Sequence, residues 1–70
     1  MAAKFTIECD READQRWIAE VPQLPGTMAY GVTRDEALAK AQTLALRVLA
    51  ERLERAEAKP QAIVITVAAP

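Results

Sequence analysis

From Lys4 to Asp10 apolar and polar side chains alternate with period two, which sets Phe5, Ile7 and Cys9 on one face and Thr6, Glu8 and Asp10 on the other. That pattern predicts a half-buried first strand. Arg11 to Asp14 reads as a polar loop, and alternation resumes from Gln15 to Val21 with Trp17, Ala19 and Val21 sharing a face. The two runs predict an antiparallel hairpin. Thr27 to Val32, bounded by Gly26 and Gly31, is a third and short extended segment suited to a sheet edge. Its inward face is ambiguous, because Met28, Tyr30 and Val32 compete with Ala29. From Arg34 to about Ala58 the period becomes 3.6, with Leu38, Ala41, Ala45, Val48, Leu49, Leu53 and Ala56 on one stripe. Ala37, Leu44 and Leu46 widen that stripe to roughly 200°, against the ~100° that a core-facing helix needs. A single sheet cannot cover all of it.

The boundaries between these runs are sharply marked. Pro22-Gln23-Leu24-Pro25-Gly26 constrains φ at two prolines and offers Gly26 for the positive φ of a type II turn. Thr33-Arg34-Asp35-Glu36 has the form of a capping box, so the helix is predicted to start at Arg34. On its polar face Glu36 and Lys40, and Arg47 and Glu51, are spaced to form i, i+4 ion pairs. Lys59-Pro60 stops the helix, since the residue before proline is driven out of the α region. Ala62 to Val67 is β-branched and uncharged, a strand buried on both faces or covered along one edge.

The inventory is therefore β-β-β-α-β, an α+β chain read as one domain spanning residues 1–70. A meander of three strands followed by a right-handed crossover gives one four-stranded sheet in the order 3-2-1-4, with one long helix on one face. The other face stays open and the uncharged last strand lies at an edge, an arrangement that predicts self-association. Size points the same way. A core in a chain shorter than ~70–80 residues rarely supplies more than ~3–5 kcal/mol, so such chains usually recruit a disulfide, a metal or a partner. Cys9 is the one cysteine of the 70 residues, which removes an intrachain disulfide. A lone cysteine without a secretory signal fits a reducing cytoplasm, and no apolar run is long enough to span a bilayer.

The candidate chemistry is sparse. The formal net charge of −1 suits a basic partner better than nucleic acid. Histidine, serine and asparagine are absent from the sequence, so neither a nucleophilic triad nor the usual transition-metal ligand set can be assembled. Asp10, Glu12 and Asp14 alternate like calcium ligands, but Gln15 and Val21 stand where an EF-hand loop needs glycine and glutamate. The strand order matches the first half of an RNase H-like fold, whose metal chemistry would draw on Glu8, Asp10 and Glu36; the last strand adds no acid. Cys9, in line with Phe5 and Ile7, reads as a small core residue. Trp17 and Tyr30 resemble base-stacking positions yet lack a surrounding Lys/Arg cluster. No catalytic, cofactor-binding or metal-ligating residue is expected, and the chain is not read as an enzyme.

Taken together, Phe5-Thr6-Ile7-Glu8, Trp17-Ile18-Ala19-Glu20-Val21-Pro22, Leu24-Pro25-Gly26 and Gly31-Val32-Thr33-Arg34-Asp35-Glu36-Ala37-Leu38 resemble, in order and spacing, the HicB-like antitoxins. The resemblance implies a β-β-β-α-β domain, a partial RNase H-like fold, that neutralises a small basic HicA-type ribonuclease toxin by steric occlusion. Many members add a C-terminal DNA-binding module; here the last strand runs to Val67 and the chain to Pro70, so DNA binding is not expected. The alternative is a stand-alone oligomeric regulatory or RNA-binding domain with no toxin partner. A dimer or tetramer is expected, with Trp17, Leu24, Met28, Tyr30 and Val64 as interface residues.

Overall fold

The computed structural model describes residues 2–55 and 59–68. Ala2–Arg11 forms β1, Trp17–Glu20 β2, Met28–Gly31 β3, Arg34–Glu54 α1 and Ala62–Val67 β4. The sheet order is β3-β2-β1-β4, with β1 antiparallel to β2, β2 antiparallel to β3, and β4 parallel to β1. The 3-2-1-4 topology expected from the right-handed crossover is thus the observed one. Ala56, within the expected apolar stripe, and the expected helix end at Ala58 lie outside the described residues.

The β1–β2 hairpin closes later than the polar run suggests, over Glu12–Arg16. Glu12 N donates to Arg16 O (2.7 Å) and Gln15 N to Glu12 O (3.0 Å), with Gln15 at φ 74°. Asp14 directs this turn by accepting from both the backbone N and the Nε of Arg16. A side chain that bonds the backbone two residues on competes with strand pairing, which is why β2 begins only at Trp17.

Beyond Glu20 two successive turns fold the chain. Leu24 N donates to Val21 O (2.9 Å) and Thr27 N to Leu24 O (3.0 Å), with Gly26 at φ 85° as a type II turn over Pro25-Gly26 requires. Val21 N donates in turn to Thr27 O (2.9 Å), closing the connection at its base. Where Pro22 takes the chain away from β1, the Gln23 side chain substitutes for a neighbouring strand by accepting from Thr6 N at 3.2 Å.

The core lies between the sheet and α1. Phe5 and Ile7 from β1, Ala19 and Val21 from the second strand and its end, and Leu24 from the turn meet Ala37, Leu38, Ala41, Ala45 and Leu49 from the helix. The ambiguity in β3 resolves in favour of its smallest residues: Ala29 pairs with the buried Ala19 and faces α1, while Met28 and Tyr30 point to the open face. The reason is proximity. The helix begins three residues after β3 ends, and a Cβ built on Gly31 would meet Ala37 N at 2.6 Å. Only a small side chain fits beneath so close a helix.

The cap follows the predicted form with one displacement. Thr33 Oγ1 accepts from Glu36 N at 3.1 Å, but the Glu36 carboxylate reaches past Thr33 to accept from Val32 N (3.3 Å) and Lys40 Nζ (3.3 Å). Further along, the expected Arg47–Glu51 pair is replaced by Glu51–Arg55 at 3.4 Å, because Arg47 lies beside Ala29 on the groove between helix and β3. β4 is not buried on both faces: Val64 and Val67 are exposed, and Ile63 and Ile65 are half-buried. No helix among the described residues is long and apolar enough to cross a membrane.

Two measurements probe this junction. Gly31→Ala should lower unfolding free energy by roughly 1–3 kcal/mol in chemical denaturation, the cost of forcing a methyl into a packed contact; an unchanged midpoint would mean that the helix is not seated there. The Glu36 carboxyl is held below its ordinary 4.5, first by Lys40 and then by Val32 N. A lowered folded value contributes stability above the unfolded value and loses it as pH falls through the folded one. Glu36→Gln should therefore flatten the stability profile below pH 4.5 relative to the parent chain.

Candidate protein-binding face

The side of the sheet away from α1 carries no other element among the described residues, and strand register places its side chains in rows. Met28, Glu20 and Glu8 lie side by side across β3, β2 and β1; the next row is Tyr30, Ile18 and Asp10. Further along β1 come Thr6 beside Thr66 and Lys4 beside Val64. One end of the face is thus acidic and apolar together, and the other is neutral to basic.

Glu8 and Glu20 are direct cross-strand partners, both exposed, with Asp10 one row away. Around half-buried Ile18 these carboxylates border a depression of about 280 Å³ lined by Glu8, Cys9, Asp10, Ile18 and Glu20. Like charges directly opposed on adjacent strands oppose pairing, so the fold tolerates a small electrostatic cost here. At the hairpin end the Arg16 guanidinium lies over the Tyr30 ring, 4.5 Å from its centroid, and is tied to Asp14 at 2.7 Å. The Arg16 backbone N–H, and then its side chain, hold the Asp14 carboxyl below its ordinary value. Arg16 is therefore partly neutralised while it covers Tyr30.

The five residues expected at an interface do not form one surface. Met28 and Tyr30 share the acidic end of the open face. Val64 is on the same face but on the far edge strand, opposite Lys4. Trp17 faces the helix side, half-buried against the core with the Arg11 guanidinium 5.5 Å from its ring centre. Leu24, at 1% exposure, is a core residue; the double turn folds it inward. Cys9 is likewise half-buried against the core. Ile18 and Glu20 are what sequence reading passed over. Alternation already put them opposite Trp17 and Ala19, but only the register of β2 on β1 brings them beside Asp10 and Glu8.

No protein-family model, curated protein or solved structure matches the chain.

The opposed carboxylates make a direct prediction. Glu20→Lys turns a like-charge pair into an opposite-charge one and should raise unfolding free energy by about 0.2–1 kcal/mol. The gain should shrink in high salt, as expected for exposed charges. Thermal melts at two ionic strengths measure both effects; a destabilised variant would show that the two side chains point away from each other.

Proposed function

We propose that this chain is a HicB-like, antitoxin-type binding module that neutralises a small basic ribonuclease of HicA type by covering it, and that the acidic end of the open sheet face is the covering surface. The carrying observation is the exposed cross-strand pair Glu8–Glu20 with Asp10 beside it, set among Ile18, Met28 and Tyr30. Apolar anchors ringed by charge of one sign are the composition of a recognition patch for a partner of opposite sign. The same charge disfavours the phosphates of RNA or DNA, so a protein partner is preferred to nucleic acid on this face. Inhibition by occlusion asks for shape and charge alone, and needs no catalytic group from this chain. The reading places it in the cytoplasm, where the half-buried Cys9 stays reduced.

The test is co-expression with the product of the adjacent reading frame. A short basic ribonuclease should co-purify and lose its activity in the complex. The double variant Glu8→Lys/Glu20→Lys should release it, lowering affinity by at least ~10-fold, while Glu54→Lys at the exposed end of α1 leaves it bound. Failure of the neighbour to co-purify, or binding that ignores the charge reversal, would refute the proposal.

A further inference from the structure

On one flank α1 overhangs the edge strand β3. Lys40, Thr43, Leu44 and Arg47 recur at i, i+3, i+4 and i+7, one row of a helix, and with Ala29 they line a groove of about 300 Å³. Every lining residue belongs to α1 or to β3, so the groove opens over the free side of the sheet and not into the core. Its floor, from Ala29 and Leu44, is apolar and its rim is cationic. The two cations are not equivalent. Lys40 Nζ is held by the Glu36 carboxylate at 3.3 Å, whereas Arg47 forms no ion pair among the described residues, because Glu51, one turn on, pairs with Arg55. Thr43 Oγ1 donates to Ala39 O (2.9 Å) and adds no free donor. A ligand therefore meets an exposed, unpaired guanidinium above an apolar hollow.

Beside the groove runs unpaired backbone. Val21 N donates to Thr27 O (2.9 Å), and in an antiparallel ladder hydrogen-bonded and non-bonded pairs alternate. Thr27, Ala29 and Gly31 thus turn their backbone groups toward β2, while the N–H and C=O of Met28 and Tyr30 point away from the sheet. The hairpin fixes the same parity from its other end: Glu12 N bonds Arg16 O, which directs Ile18 and Glu20 to β1 and leaves Ala19 to pair with Ala29.

We propose that the β3 edge and this groove together bind an extended peptide segment of another protein, one that carries a glutamate between two apolar residues. Paired antiparallel to β3, the apolar residues exchange backbone hydrogen bonds with Met28 and Tyr30 and lay their side chains on the open face. The residue between them stands opposite Ala29. Its side chain is directed to the helix side, into the groove, where the methylenes of glutamate cover Ala29 and Leu44 and the carboxylate reaches Arg47.

Two features select this ligand. Strand alternation sends every second side chain to the helix side, so affinity comes from main-chain bonds and specificity from the groove, as in other peptides that add to a sheet edge. The unpaired guanidinium favours a carboxylate, since charge-assisted hydrogen bonds are roughly twice as strong as neutral ones. A phosphodiester chain brings the charge but no N–H for the carbonyls of Met28 and Tyr30, and the acidic open face repels it. The peptide is opposite in charge to the basic partner proposed for the open face. The two sites share no charged residue, and the inference does not rest on that reading.

Fluorescence anisotropy tests it with a labelled, end-capped peptide, threonine-valine-glutamate-valine-threonine. The peptide should bind the whole chain saturably, and glutamine in place of its glutamate should weaken binding by ~10-fold or more. Arg47→Glu, at an exposed position, should weaken it likewise with an unchanged circular dichroism spectrum. A lysine-centred peptide should bind that variant more tightly than it binds the parent chain. N-methylation of either valine should abolish binding by removing a ladder donor, while N-methylation of the glutamate, whose N–H faces away from β3, should leave binding unchanged. Amide exchange at Met28 and Tyr30 should slow when peptide is bound. Equal affinity for the glutamate and glutamine peptides, indifference to valine N-methylation, or no binding at millimolar peptide would overturn the proposal.

Discussion

The close approach of β3 to the start of α1 sets the rest of the molecule. With Gly31 directly under Ala37 N, and the Thr33 and Glu36 side chains closing the cap, the helix has one seat and one direction. Glycine allows a contact that any other residue would hold apart. Because the helix is anchored at the β3 edge, it lies mainly across β3, β2 and β1 and leaves the opposite edge less covered, with Ile63 and Ile65 half-buried and Val64 and Val67 exposed. A helix seated more centrally would cover β4 and expose β3.

Two unmet surfaces follow from that one placement. On the helix side, Leu46 and Leu53 of α1 and Val67 of β4 are exposed, beside the strand that ends the sheet. On the other side, Ile18, Met28 and Tyr30 are exposed or half-covered among Glu8, Asp10 and Glu20. They differ in the physics of what they can accept. An uncharged strand edge offers backbone pairing, while a face with opposed carboxylates favours a partner that brings positive charge.

The acidic end of the open face carries its own tension. Glutamates directly opposed on neighbouring strands work against the β1–β2 pairing. Functional surfaces commonly retain residues that the fold alone would not favour. The Arg16–Tyr30 stack bounds this patch at the hairpin end, with Asp14 limiting how much positive charge it presents.

Much was legible in the residue pattern, because it rests on interactions between near neighbours. Alternation placed Phe5 and Ile7 inward, the Thr33-to-Glu36 spacing placed the helix start, Pro25-Gly26 placed the turn, and the uncharged run placed β4 at Ala62–Val67. Strand order also followed, since the handedness of a crossover is a chain property. Tertiary structure alone decided which neighbours meet. Leu24 reads as an interface residue, yet two bends carry it into the core. Trp17 and Val64 look like interface residues by size and hydrophobicity, yet they lie on different faces or edges from Met28 and Tyr30. The pairing of Glu8 with Glu20 required the register of one strand on another. These are distances between residues far apart in the chain, which local pattern constrains only through the packing that finally satisfies it.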